Sequence, residues 1–366
     1  MNWKFWRRDN DTIGPDPTEP QSLGDSFDRP QGSEKSAAVR PLFKGLTALV
    51  GLYLIVTLAL GIWWSQEPDR FNIASVAQTM ASTQGEATVT GNMTTVATIH
   101  VAQTLLQKSG GYLTNDVLPP GVWLDNIPSW EIGALTMLRD TVRVYRNDFS
   151  RSQSQSAEDP NLAAAEGQFF FDNNSWFLPD TEGEYQNGID QMSIYLARLS
   201  DPSANDAQFY ARSDNLQSWL AAMETRLGSL SQRLSASVGK RQLDTSLAGD
   251  ANAVQSTATP AEQIVQTPWL EIDNVFYEAR GFTWALLHLL EAIENDFGEV
   301  LDKKAARVSL RQIIRELEPT QDSLFSPMVL NGDGFGVVAN HSLIMASHIS
   351  RANAAIIDLR ALLAQG

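Results

Sequence analysis

The sequence of 366 residues contains no cysteine and only four histidines. Without cysteine the chain has no thiol nucleophile and no disulfide, which is compatible with an oxidising compartment. It also lacks a P-loop, the G-x-S-x-G turn of hydrolases, the G-x-G-x-x-G dinucleotide fingerprint and the H-E-x-x-H zinc motif. The catalytic residues therefore stay unknown, and the sequence favours a protein that is not an enzyme.

Basic residues are also scarce, with 27 Lys and Arg against 43 Asp and Glu and a net charge of −16. Residues 1–44 hold equal numbers of the two signs, so the acidic excess lies in residues 65–366. A negative surface repels phosphates and anionic lipid head groups. The composition therefore argues against nucleic-acid binding by this region and leaves a protein partner or a small molecule open.

One long run without charge extends from Gly45 to Trp64. As a helix it spans about 30 Å, the thickness of the bilayer hydrocarbon. Lys44 at one end and the Trp63–Trp64 pair at the other suit the two interfaces. A buried core helix and a cleavable signal peptide are the alternatives; the run is long for a signal peptide, and SQEPDRF offers no small-x-small cleavage pair. We predict a transmembrane helix over residues 42–64.

The flanking charges predict the orientation of this helix. Four basic residues precede the apolar run: Arg29, Lys35, Arg40 and Lys44. After it, only Arg70 occurs before Lys108. The positive-inside rule then predicts a single-pass membrane protein with its N-terminus in the cytoplasm and residues 65–366 outside. In a Gram-negative cell this means the inner membrane and a periplasmic C-terminal domain. Residues 9–40 are polar and rich in Pro, Gly and Asp, and we predict a disordered cytoplasmic tail over residues 1–41.

Beyond a predicted spacer at 65–91, apolar residues recur at helical spacing. We predict helices near residues 96–106, 132–149, 185–199 and 274–297, one that ends before Pro319, and one over 337–364. A capping box at Thr181 and Glu184 is expected to open the third of these. Residues 150–180 are predicted to be irregular, with an extended piece in the aromatic patch 169–177.

The clearest pattern is a heptad seam with alternating steps of four and three: Leu216, Leu220, Met223, Leu227, Leu230 and Leu234. It is typical of coiled coils and helical hairpins, and we favour packing within the domain over a separate coiled-coil dimer. Residues 240–266 lack periodicity and are predicted to be a linker or long loop between helical subregions 92–239 and 267–366. The predicted fold class is all-α: a single N-terminal transmembrane helix followed by a helical-bundle ectodomain.

Six polar residues of the C-terminal helices are candidates for a ligand-binding site: Glu278, Arg280, His288, Glu291, His341 and His348. Glu278 and Arg280 border a strongly apolar helix, so each needs an ion-pair partner on another helix or a ligand. His341 and His348 lie two helical turns apart, too far to share one metal without another element. They either pack at a helix interface, or one of them joins His288 and Glu291 at a metal or ligand site. We assign no metal and no cofactor.

Four stretches resemble an uncharacterised family of bacterial inner-membrane proteins, domain of unknown function 2333. They are NIPSWEIGALTMLRD, NDFSRSQSQSAEDP, FYARSDNLQSWLAAMETRLGSLSQRLSASVG and DNVFYEARGFTWALLHLLEAIENDF. The resemblance covers most of residues 42–366. It implies a proteobacterial host and agrees with the anchored topology, but it implies no activity and no site residue.

The sequence therefore predicts a membrane-anchored periplasmic helical protein. We expect a scaffold or interaction protein of the cell envelope, integrated in the membrane by one span and bound to a protein partner. The alternative is a small-ligand or metal-binding sensor or enzyme that uses the C-terminal helices.

Overall fold

A computed structural model describes residues 36–84, 89–153, 156–201, 203, 206–243, 262–326, 328–333 and 336–365. Its helices are α1 (Ser36–Trp64), α2 (Ile73–Gln84), α3 (Asn92–Gln107), α4 (Asn126–Val144), α5 (Pro160–Phe169), α6 (Thr181–Ser200), α7 (Ser213–Ser235), α8 (Ile272–Asp296), α9 (Gly298–Lys303), α10 (Arg307–Leu317) and α11 (His341–Ala364). A π-helical turn, Tyr145–Phe149, continues α4. The all-α class is confirmed.

Helix α1 contains the apolar run. Its segment Phe43–Trp64, 22 residues with a mean hydropathy of 2.2, is long and apolar enough to cross a membrane, and no other helix in the described ranges meets that test. The helix begins at Ser36, earlier than predicted. The predicted disordered tail falls mostly on residues 1–35, which lie outside the described residues. The chain divides into two units, Met1–Tyr53 and Leu54–Gly366.

The second unit is built around α4 and α8, whose backbones touch. A Cβ atom on Gly281 would lie 1.9 Å from the carbonyl oxygen of Trp130, and one on Gly133 would lie 2.0 Å from that of Glu278. Only glycine permits this approach, since any side chain would collide with the facing backbone. The buried rings of Trp130 and Trp284 lie 5.0 Å apart beside the crossing.

Helix α7 carries the heptad seam, and all six of its residues are buried. The helix against which α7 chiefly packs is α11. Because apolar residues at this spacing lie along one narrow stripe, a single facing helix covers them. The seam thus packs against another helix of the same chain, as predicted.

Two local predictions between residues 150 and 184 are wrong. Helix α5 lies in the stretch predicted to be irregular; its N-cap is Asp159, whose carboxylate accepts the N–H groups of Asn161 and Leu162. The N-cap of α6 is Asp180 rather than Thr181, because the carboxylate of Asp180 accepts the N–H of Gly183. The hydroxyl of Thr181 instead donates to the carbonyl of Asp172.

The segment predicted as a linker begins and ends with short strands. Strand β1 (Lys240–Leu243) pairs antiparallel with β2 (Glu262–Val265), while residues 244–261 lie outside the described residues. Buried side chains from before and after this segment belong to one hydrophobic core. Residues 240–266 therefore separate two stretches of sequence that share a core. Helix α11 begins four residues later than predicted, with Asn340 as its N-cap.

Candidate functional site

The residues that follow α1, Gln66 to Asn72, form no helix or strand and lie against α8. We call this segment the strap. It contacts α8 through two ion pairs, a stacked ring and backbone hydrogen bonds. Although the sequence predicted a spacer over 65–91, the first part of that segment is fastened to the body, and α2 follows it.

Arg280 of α8 makes the strongest contact with the strap. Its Nε donates to Oε1 of Glu67 over 2.7 Å, and its Nη2 donates to Oε2 of the same carboxylate over 2.5 Å. Nη1 donates to the carbonyls of Thr320 and Asp322 at 3.0 and 2.9 Å. Only 6% of the Arg280 side chain is exposed. This two-pronged pairing offsets the desolvation of the guanidinium and joins the strap to the turn after α10.

His288 lies about two turns further along α8 than Arg280 and is fully buried. Its Nδ1 lies 2.7 Å from the carbonyl of Trp284, and its Nε2 accepts the N–H of Phe71 over 3.1 Å. Because a carbonyl only accepts, Nδ1 carries the proton and the ring is neutral. Burial lowers the pKa of His288 to about 3. Both ring nitrogens are thus engaged in holding the strap.

The ring of Phe71 is enclosed by two histidines. It stacks on His288 with centroids 3.8 Å apart, and it meets His100 of α3 edge-on at 4.3 Å. Burial also lowers the pKa of His100. Neutral imidazoles pack against an apolar ring without the cost of desolvating a charge. Two of the four histidines of the chain therefore serve as packing surfaces for one strap residue.

The two glutamates among the six candidates have different partners. Glu291 forms an ion pair with Arg70 of the strap. Burial raises the pKa of Glu291, and Arg70 opposes this rise. Glu278 faces α7 instead, where both its oxygens accept from Arg233 at 2.6 Å. Neither carboxylate is left without a cation, so both groups fasten elements of the body to α8.

His341 and His348 lie on α11 and line a separate cavity of 440 Å³, which we call the cleft. Arg280 borders it, and apolar side chains form much of the wall: Phe276, Leu324, Leu330, Ile344 and Met345. Nδ1 of His341 accepts the N–H of Leu330 over 3.1 Å. Its Nε2 has no hydrogen-bond partner among the residues that the structure describes. Burial lowers the pKa of His341, so its ring is neutral near pH 7.

The six candidates are therefore divided between two places. Arg280, His341 and His348 border the cleft, whereas His288 and Glu291 hold the strap and Glu278 pairs with α7. Across the described ranges, no group of three or more His, Asp and Glu side chains is placed to hold a metal ion. What the cleft offers is a mostly apolar cavity with histidine at its edge, which suits binding more than acid–base chemistry.

A buried ion pair that the sequence did not single out lies at the start of α4. Nζ of Lys108 is 2.5 Å from Oε1 of Glu131, with 2% and 0% of the two side chains exposed. Glu131 also accepts the N–H groups of Leu113 and Thr114 at 2.9 and 2.8 Å. Burial raises the pKa of Glu131, and Lys108 opposes the rise. A lone acid between Trp130 and Ile132 was the available signal. The carboxylate fixes the loop after α3 on α4.

Together the strap and the cleft define a class: a helical body fastened to the end of an apolar N-terminal helix, with a mostly apolar cavity bordered by His341 and His348. The profile of a family described as an uncharacterized protein conserved in bacteria, domain of unknown function 2333, matches residues 37–366. The chain belongs to this family, which confirms the resemblance noted in the sequence. No curated protein and no solved structure matches the chain.

Proposed function

We propose that this protein is a single-pass protein of the bacterial inner membrane, with a cytoplasmic N-terminus and a periplasmic helical body. The body acts as a scaffold or interaction protein of the envelope and binds a protein partner. One observation carries the proposal: the strap ties the chain that leaves α1 to α8 through Glu67, Arg70 and Phe71.

A fastened strap has a consequence for a membrane-anchored body. A flexible spacer of this length lets a domain tumble and sample many heights above the bilayer. Ion pairs and a stacked ring instead fix the exit of the chain on the body, so the body keeps one placement relative to the end of α1. Fixed placement supports a protein whose surface must meet a partner in the same membrane.

The same contacts weaken the case for catalysis at α8. Arg280, His288 and Glu291 have the residue types that acid–base chemistry uses, yet each has strap or backbone partners. A catalytic group needs a substrate within hydrogen-bond reach. The strap occupies that position for all three side chains.

The topology is tested with the full chain in bacterial membranes. We expect the protein to stay in the pellet after alkaline washing, and a reporter that requires export to be active when fused after Gly366. Release by the alkaline wash contradicts the anchor. Activity of a cytoplasm-dependent reporter at the same position contradicts the orientation.

The scaffold role is tested by photo-crosslinking in intact cells, with a photo-reactive amino acid at exposed surface positions of the body. We expect discrete crosslinked products at some positions, and a lower yield when Glu67→Gln and Arg280→Met together release the strap. Arg233→Met, which removes an ion pair away from the strap, serves as the matched control. A protein that forms no crosslinks at any position and migrates as a monomer in native membranes overturns the proposal.

The cleft favours a second candidate function, the binding of a small ligand. It offers apolar walls and a neutral imidazole whose Nε2 is unengaged among the described residues. Ile344→Trp fills the cleft, and Val308→Trp adds the same ring at an exposed position of α10. We expect mass spectrometry of extracts to show a compound that co-purifies with the wild type and with Val308→Trp but not with Ile344→Trp. Identical extracts from all three contradict this candidate.

A further inference from the structure

A loop between α3 and α4 lies against the last part of the apolar helix. Pro120, Trp123 and Leu124 line a cavity of 500 Å³ together with Leu54, Leu58 and other residues of α1. An added Cβ on Gly61 would lie 3.5 Å from Cβ of Pro120. Thr57, although it belongs to the apolar run, is only 3% exposed. The loop therefore packs on α1 well before the helix ends.

The charges of α1 set the depth of this contact. Lys44 marks one end of the apolar run, and a span of about 30 Å from there ends near Trp64. At about 1.5 Å per residue, Thr57 lies about 10 Å inside that end. A shift of the membrane toward the N-terminus would place Lys44 in hydrocarbon, where a charged side chain is unfavourable. The loop beside Thr57 and Gly61 is therefore level with the bilayer surface or below it.

The side chains and the backbone of the loop both suit that position. Four of its apolar residues are at least half exposed: Val117, Leu118, Val122 and Trp123. Pro119 and Pro120 have no N–H, and the N–H groups of Val122, Trp123 and Leu124 donate to carbonyls within the loop at 2.9–3.1 Å. Three of the six backbone N–H groups of residues 117–124 are thus already paired. Asp116 and Asp125 flank the loop and keep it at the boundary of head groups and acyl chains.

A second apolar loop adjoins the first. Nδ2 of Asn115 donates to the carbonyl of Ser175 over 2.9 Å, and the hydroxyl of Tyr112 donates to the carbonyl of Asn173 over 3.1 Å. The residues that follow Ser175 are exposed by 56%, 71% and 77%: Trp176, Phe177 and Leu178. Large apolar side chains so exposed are unusual on a soluble surface unless they bind something.

We propose that these two loops form a second membrane contact: Val117–Trp123 and Trp176–Leu178 insert into the head-group boundary of the leaflet in which α1 ends. This inference rests on the proposed anchoring by α1. The occupant is lipid, because the loops lie beside a helix that itself enters the bilayer. The attraction is apolar rather than ionic, since the acidic body does not attract anionic head groups. A body held by one span and two loops cannot swing about the end of α1.

The chain has no cysteine, so a single introduced cysteine carries a fluorophore at one defined place. The variants are Leu118→Cys, Val122→Cys and Leu178→Cys, labelled with an environment-sensitive dye in the full-length protein. The protein is reconstituted in phosphatidylcholine vesicles that contain phosphatidylcholine with a nitroxide high on its acyl chain. Leu58→Cys, exposed on α1, reports the anchor, and Val308→Cys, exposed on α10, is the matched control away from both loops.

We expect the dye at positions 58, 118, 122 and 178 to be quenched at least twofold by the nitroxide lipid, with no more than a slight effect at 308. The quenching should persist in 0.5 M salt. Quenching at 58 together with values at 118, 122 and 178 equal to that at 308 overturns the loop contact and leaves the anchor intact. Absence of quenching at 58 overturns the anchor, and the loop contact falls with it.

Discussion

The strap and the cleft lie on neighbouring faces of α8 and use the same residue types in different ways. At the strap, the polar side chains of Arg280, His288 and Glu291 all meet partners of the same chain. At the cleft, His341 has one ring nitrogen without a partner in the described ranges, beside exposed apolar side chains such as Ile344. The element that packs against an apolar helix thus decides whether a histidine or a charged residue on that helix has a structural role or is available to bind a ligand.

Of the substitutions that test this comparison, removal of Arg280 should lower the free energy of unfolding most. Arg280→Ala leaves Glu67 without its cation and the carbonyls of Thr320 and Asp322 without a donor. We expect the free energy of unfolding to fall by about 3–5 kcal/mol, as for other broken buried pairs. Urea unfolding of the detergent-solubilised full chain measures it. Arg233→Ala, which breaks a more exposed pair, should cost no more than about 1 kcal/mol; equal losses contradict the assigned role of the strap.

The next largest effect is expected from the strap histidine, His288, whose removal should lower the free energy of unfolding more than removal of the cleft histidine, His341. His288→Ala removes the acceptor of the Phe71 N–H and the side-chain donor to the Trp284 carbonyl, and it opens space beside a buried ring. We therefore expect a loss of about 2–3 kcal/mol. His341→Ala removes one hydrogen bond at the edge of the cleft and should cost about 1 kcal/mol. The same unfolding measurement compares them. A larger loss of stability for His341→Ala than for His288→Ala contradicts a structural role for His288 and an available ring at His341.

The neutral state of His288 gives a pH test. Its pKa is about 3 in the folded protein against 6.5 for the model residue, so between these values the unfolded chain binds a proton that the folded chain does not. The free energy of unfolding therefore falls as the pH drops below 6.5, by up to about 1.4 kcal/mol per pH unit, and this contribution vanishes above 6.5.

His288→Gln lacks this contribution, so the stability difference between the wild type and the variant should narrow by about 2 kcal/mol from pH 6.5 to pH 5. Buried carboxyls such as Glu131 and Asp296 have raised pKa values and change stability in the opposite sense, but they occur in both proteins and cancel in the difference. Urea unfolding at pH 7.5, 6.5 and 5 gives the result. A difference that does not change with pH contradicts a neutral His288.

The smallest effect is expected at the outer ion pair of the strap. Arg70 and Glu291 are about a third exposed, so Arg70→Ala should cost no more than about 1 kcal/mol. Local opening is a more sensitive measurement: proteolysis or hydrogen exchange within 66–72 should rise while exchange in the core of α8 stays constant. Arg311→Ala, which breaks an exposed pair with Glu294, is the control. Unchanged exchange in the strap contradicts a holding role for Arg70.

The helices were predictable because their signals are local. The seam from Leu216 to Leu234 predicts α7, and apolar residues at helical spacing predict α4 and α8. Helix α5 was missed because Ala-rich residues after Asp159 have little apolar periodicity. The cap of α6 was assigned to Thr181 because Asp180 and Thr181 both suit an N-cap, and only the hydrogen bond to Gly183 separates them.

The sequence by itself determined the apolar helix, the acidic body and most helices, since each depends on residues a few positions apart. The tertiary structure alone decided which charges meet. Glu67 and Arg280 are 213 residues apart, and Asp296 of α8 accepts the N–H of Thr94 at the otherwise uncapped start of α3, 202 residues away. No pattern of spacing in the sequence predicts such pairs, because their members are far apart in the chain. They form because a buried charge or N–H without a partner costs too much free energy.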